Sequence, residues 1–319
     1  MSRLRRFLSL RALLVGLGLL TLFVRRQRRL TSPMIDMGLF ARPGFSAAVL
    51  INVISVFTLL GMMFFFPQYL MLVQGLGSAQ AGLWMLPLAV ATVVGSMSSP
   101  LVARVLSVRA VIVTGLVVLT AGFVVATRLD DAETMTTFVL TSVLIGLGVG
   151  LAETLTNDVI LTTAPPSRAG AASAISETGY EFGGAMGTAV LGTVGLAVYA
   201  RSLSALDGVS AAQVEASRQT LGAAHEIADA LPAEVGMQWR TLASDAFVTG
   251  MDTVIVVCSV VIVAALVIAW RGLRTPAGDG ADAELADGPS ASDEPERAAE
   301  PEQVDEPEQA VDAGPGSRR

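Results

Sequence analysis

The stretch that decides the fold is Pro165 to Gly187, PPSRAGAASAISETGYEFGGAMG. It is a small-residue, apolar segment of membrane-spanning length that carries two glutamates, Glu177 and Glu181. At roughly 100° per residue, Glu177, Glu181, Gly184 and Thr188 fall within about 60° of one another, and Gly179, Gly183 and Gly187 form a second stripe on the far side. One face is acidic and the other nearly bare backbone. A charge at bilayer depth costs at least about 2.5 to 3.5 kcal/mol, so such residues usually face a wet cavity and handle ions or protons. The glycine stripe lets a neighbouring helix approach closely. The bland alternative is that the glutamates pair structurally with arginines on other helices, and no arginine lies inside any of the six bundle spans assigned below.

Composition places this segment in a polytopic membrane protein. The chain has 319 residues, of which 52% are hydrophobic and 15% charged, with a mean hydropathy of +0.62. Size rules for water-soluble domains therefore do not apply. The net charge of -7 conceals two parts. Residues 275–319 hold 13 acidic residues and three arginines, leaving 18 arginines against 15 acids in the first 274 residues. A mildly basic membrane body thus precedes an acidic segment whose Pro, Ala, Glu, Asp and Gly content cannot bury a core, and 275–319 is expected to be a disordered cytoplasmic tail. Cys258 stands alone, so neither an internal disulfide nor a cysteine-built metal site is open to the chain, and packing is its expected role. Nothing in the pattern points to nucleic acid, a metal or a bound cofactor.

Going outward from Glu177, hydropathy marks seven spans. An accessory helix is expected within residues 1–24, over the apolar run Leu8 to Val24, followed by a basic cytoplasmic loop at 25–45. The run ends in RRQRR without a small-residue cleavage site, which disfavours a signal peptide. Six further spans are expected near Ala47–Leu70, Ala81–Val102, Ala110–Ala126, Thr134–Val159, Ala169–Ala200 and Phe247–Trp270, forming one bundle over 46–274. Loops assigned to the cytoplasm carry Arg104 and Arg109, then Arg168, then Arg271 and Arg274, whereas the outer loop RLDDAE has one arginine against three acids. The bundle therefore starts and ends inside. Arg3, Arg5, Arg6 and Arg11, before and at the start of the first helix, violate that rule, as though the chain began abnormally.

Several polar or aromatic residues lie within or near these spans. Ser142, Gly146 and Gly150 form a small-residue stripe that runs on into Glu153 and Asn157, shading a close helix contact into a polar pocket wall. Glu153 and Asn157 thus join Glu177 and Glu181 as candidates for proton or substrate binding, with Gly146, Gly150, Gly179, Gly183 and Gly187 as helix-packing positions. Pro67 and Pro87 are expected to kink their helices, and Phe64, Phe65, Phe66 and Tyr69 to pack between helices in preference to lining an aromatic ligand wall. In the outer loop at 201–245, one or two short surface helices are expected, with Ser210 to Gln213 as a capping box and Pro232 in a first turn. His225, the sole histidine, is expected to be a solvated helix residue. No nucleophile, base and acid set or metal-ligand cluster appears, so the chain is not expected to be an enzyme.

Three runs carry a family resemblance: PMIDMGLF-ARPGFS (33–46), FFFPQYLMLVQGLGSAQAGLWMLPLAV (64–90) and APPSRAGAASAISETGYEFGGAMGTAVLGTV (164–194). They resemble the C-terminal half of the fourteen-span drug/proton antiporters of the major facilitator superfamily, the exporters of quaternary ammonium compounds and related drugs. The resemblance covers about Leu8 to Arg274. It implies an all-α membrane protein, here a six-helix half-bundle plus one preceding helix, integral to the cytoplasmic membrane with its C-terminus inside. It also implies export of hydrophobic or cationic small molecules driven by a proton gradient, with Glu177 and Glu181 at the matching acidic positions. The family's first six core spans are absent, so an N-terminal half-transporter or a second copy is expected to complete the chain. A nonfunctional remnant, or a membrane scaffold or regulatory subunit, is the alternative.

Overall fold

The computed structural model describes residues 38–129 and 134–273, together with scattered helical positions between 11 and 26. More than half of the expected accessory helix falls outside the described residues, as do residues 27–37 of the basic loop and the whole tail beyond Leu273. The chain divides into two units, Met1–Thr275 and Pro276–Arg319. Within the first, every regular element described is helical.

Among the described residues, six helices are long and apolar enough to cross a membrane: α1 Pro43–Val73, α2 Ser78–Val102, α3 Val108–Ala126, α4 Thr134–Thr163, α5 Pro166–Ser202 and α8 Ala233–Gly272. Two short helices, α6 Ala211–Ser217 and α7 Leu221–Ala230, lie between α5 and α8. Helix is the expected answer, because in lipid each backbone N–H and C=O must be satisfied within its own segment. The starts are set locally. Pro43 sits in the first turn of α1, the Ser107 hydroxyl accepts from the Ala110 N–H at the head of α3, and Ser210 with Gln213 forms the expected capping box on α6. Between α1 and α2 the chain turns through Gly75 at φ 69°, a conformation that side chains with a Cβ disfavour.

The six expected spans are all present, with longer bounds. The largest difference is α8, which begins at Ala233 rather than Phe247, so the end of the outer loop and the last span are one 40-residue helix. Two spans also loosen internally. A five-residue π-turn, Tyr69–Val73, follows Pro67 in α1, and another, Gly187–Leu191, interrupts α5. The first begins two residues after Pro67, and the second lies in the glycine-rich segment of α5.

Packing repeats within the bundle. α1 packs on α5 and α8, and α4 packs on α2 and α3, while α1 meets α4 and α3 meets α8 across the middle. α5 also packs on α8, a contact that α2 and α3 do not mirror; the other pairings of the first three spans correspond to those of the last three, and because three is odd the second set enters from the opposite side, an inverted repeat. At one end, Arg42 donates to the Thr163 carbonyl at 2.6 Å, and Arg109 donates to the Trp270 carbonyl at 2.6 Å. Both cations thereby complement the negative C-terminal ends of α4 and α8. At the other end α6, α7 and the start of α8 form a polar cap. Tyr199 Oη donates to the Ser217 carbonyl at 2.8 Å, the Trp239 indole to Ser217 Oγ at 3.3 Å, and Arg240 pairs with Asp229.

Phe65, Phe66 and Tyr69 are fully buried, with Phe65 against Phe247 and Phe66 against Phe138 in the core. These aromatics pack between helices, as the spacing predicted. His225 departs from expectation: it is buried within the cap instead of solvated, with no partner for Nε2. Burial lowers its pKa from the ordinary 6.5, Arg240 lowers it further, and Asp229 opposes both.

Candidate functional site

The site forms where α1, α4 and α5 meet, and glycine makes the meeting possible. On α5, a Cβ at Gly183 would lie 2.6 Å from the Val53 carbonyl oxygen of α1, and one at Gly187 would collide with the Phe57 carbonyl. On α4, a Cβ at Gly146 would come within 2.9 Å of Ala91 and one at Gly150 within 2.8 Å of the Ser96 N–H group of α2. Gly148, on another side of α4, abuts Leu119 and Gly115 of α3. Helices this close bring their polar side chains within reach of one another.

Two hydrogen bonds cross this seam. Asn52 Nδ2 of α1 donates to Glu153 Oε1 of α4. One turn along α4, Asn157 Oδ1 accepts from Ser176 Oγ of α5 at 2.7 Å. Asn52 is 2% exposed and Ser176 is buried, whereas Glu153 is half-buried and Asn157 exposed, so the first bond lies deeper in the bundle than the second. Gly179 closes over the asparagine, since a Cβ there would lie 3.4 Å from Asn52 Oδ1. Counting from Pro43 and back from Thr163 at 1.5 Å per residue, Asn52 and Glu153 lie roughly 14 to 15 Å from their helix ends, near half of a core about 30 Å thick. Three neighbouring atoms lack a partner: Glu153 Oε2, Asn52 Oδ1 and Ser55 Oγ are all buried without a hydrogen bond.

Glu177 and Glu181 stand elsewhere. Both are exposed, on the side of α5 turned away from the Gly179, Gly183 and Gly187 contacts with α1. Tyr180 and Phe182 are exposed beside them. Two details of the helical-wheel reading need correction. Gly184, placed among the glutamates by angle, is buried beneath Leu60 of α1, because a residue without a Cβ leaves room for a neighbour to fold over it. The stripe on α4 is likewise not one face toward one partner. Gly146 and Gly150 meet α2, Glu153 reaches α1 and Asn157 reaches α5, since a central helix is surrounded on every side. Asn52 was missed from sequence altogether. Its signal was available, as the only amide in the membrane-deep part of an otherwise apolar span.

Chemically, the arrangement offers a buried carboxyl with one neutral donor, next to a helix whose outer face shows two carboxylates to whatever lies beyond it. Among the described residues no group of three or more His, Cys, Asp or Glu is placed to hold a metal ion.

Comparison with known proteins agrees with this architecture. The family described as Major Facilitator Superfamily matches residues 5–188. The multidrug efflux pump LfrA of Mycolicibacterium smegmatis is 36% identical over 263 residues, 82% of this chain and 52% of that protein. The methyl viologen resistance protein SmvA of Salmonella typhimurium is 30% identical over 237 residues, 74% of this chain and 48% of that protein. The drug efflux pump JefA of Mycobacterium tuberculosis is 28% identical over 286 residues, 83% of this chain and 55% of that protein. The chain thus spans about half the length of the curated relatives it matches. With its six apolar spans and this match over more than half its residues, the chain belongs to the Major Facilitator Superfamily.

Proposed function

We propose that this chain is the C-terminal half of a fourteen-span drug/proton antiporter in the cytoplasmic membrane, exporting hydrophobic or cationic small molecules when an N-terminal half completes it. The observation that carries the reading is the outer face of α5, where Glu177 and Glu181 stand exposed about 12 and 18 Å beyond Ala169 at 1.5 Å per residue. A carboxylate at that depth is too costly to be left facing lipid, so this face lines the aqueous cavity between two halves. An organic cation entering the cavity gains from the ionised pair, and its arrival favours loss of a proton, which is the differential interaction that couples two ligands. The names of the matched relatives, all efflux or resistance proteins, support the same reading.

The test is transport in cells that supply a complementing N-terminal half. Glu181→Gln is expected to abolish proton-coupled export of ethidium-like cations, and Glu177→Gln to weaken it or narrow the substrate range. Both variants should insert normally, because each removes an insertion cost. Unchanged export and unchanged pH dependence in both, at matched expression, would remove the pair from the mechanism.

A further inference from the structure

We propose that Glu153 is a proton-binding site in its own right, separate from the exposed pair on α5, and that it holds its proton as an acid–amide pair with Asn52. The inference deepens the antiporter reading and rests on it only for its consequence in transport.

The geometry leaves two loose ends on one hydrogen-bonded pair. Asn52 Nδ2 already donates to Glu153 Oε1, and the remaining oxygens of the same two groups, Glu153 Oε2 and Asn52 Oδ1, are both buried without partners. Both are acceptors when the carboxyl is ionised, so their lone pairs oppose one another in a place water does not reach. A proton on Oε2 turns that atom into a donor, and the acceptor it needs is the other orphan. Two parallel hydrogen bonds then close a ring between acid and amide, and the two buried oxygens satisfy each other.

No other group nearby can neutralise an ionised Glu153. Of the helices packed on α4, α2 brings no ionisable side chain, and α1 brings Arg42 at its start, bound to the Thr163 carbonyl at the end of α4, and Tyr69 at its far end, where its hydroxyl donates to Leu129. α3 brings Arg109, bound to the Trp270 carbonyl. α5 brings Arg168 at its start, Tyr199 and Arg201 at its far end, and Glu177, Tyr180 and Glu181 on its exposed face. On α4 itself, Asp158 is exposed.

Release of the proton leaves the acid–amide pair at this seam with one hydrogen bond and two opposed acceptors. That seam is where the set α1, α5 and α8 meets the set α2, α3 and α4, and α5 rides on α1 through Gly179, Gly183 and Gly187. The protonation state of Glu153 therefore biases how the helix bearing Glu177 and Glu181 sits against the rest. Proton and cation are coupled through helix position, without sharing a carboxylate.

The experiment is infrared difference spectroscopy of the full chain in lipid nanodiscs, titrated across neutral pH and compared with Glu153→Gln and Asn52→Leu. A protonated carboxylic acid carbonyl band should be present at neutral pH, absent in Glu153→Gln, and shifted to higher frequency in Asn52→Leu, where the amide partner is lost. Added sodium should leave the band unchanged. A carboxylate band alone at neutral pH, identical in wild type and Glu153→Gln, overturns the proposal. So does a band unmoved by Asn52→Leu, or one that sodium abolishes, which would make the orphan oxygens a cation site. If Glu153→Gln fails to insert, the Asn52→Leu shift decides. Because no transport is measured, failure of the antiporter reading would leave these bands untouched.

Discussion

The backbone of Gly183 in α5 lies against the carbonyl of Val53 in α1 so closely that a Cβ would sit 2.6 Å from the oxygen. One turn on, Gly187 meets Phe57 in the same way. The face of α5 opposite its two glutamates is therefore fastened to α1 by close backbone approach, with Leu60 of α1 folded over Gly184 and Leu191 of α5 over Gly61, the geometry expected where lipid offers no hydrophobic force between helices.

Gly183→Ala is expected to push α5 from α1 and destabilise the bundle by about 1 to 3 kcal/mol, the usual cost of overpacking. Gly170→Ala, in the same helix with open space around it, should be neutral or gain up to about 1 kcal/mol from helix propensity. Melting of the two variants in detergent checks the contrast. Equal melting temperatures would show that the α1–α5 contact relaxes freely.

His225 makes the polar cap pH-sensitive. Its pKa in the fold is lowered below the ordinary 6.5 by burial and by Arg240. The unfolded cap therefore binds a proton first, and the cap's stability, fully present above about 6.5, is lost as pH falls from that value through the lower folded value. Amide hydrogen exchange over residues 221–230 should accelerate as pH drops through this window, after correction for intrinsic rates. His225→Leu should abolish the pH-dependent part.

Chain alternation puts Arg42, Arg109 and Arg168 at one end of the bundle and Ser210 at the other. With the arginine-rich end in the cytoplasm, a cysteine at position 210 should react with an impermeant thiol reagent in intact cells, and one at position 168 only after permeabilisation. Cys258 is buried and should give little background. Labelling of position 168 from outside would invert the orientation.

Six spans, their order and the two glycine stripes were legible in the sequence, because each is a property of one helix: length, apolar content and a period of about 3.6 residues. The capping box at Ser210 was legible for the same reason, since its partners lie three residues apart. Neighbours were not legible. A helix wheel says that Gly146, Gly150, Glu153 and Asn157 lie near one another, but only the packed bundle divides them among α2, α1 and α5. In a water-soluble protein the polar face of each helix would have betrayed which side turns inward; in a bundle surrounded by lipid nearly every face is apolar and that signal is missing. The burial of Gly184 under Leu60, the burial of His225 within the cap and the bond from Asn52 to Glu153 across 101 residues are decided by which helices meet. That choice belongs to the tertiary structure, because it depends on close backbone contacts between segments whose separation in sequence carries no periodic trace.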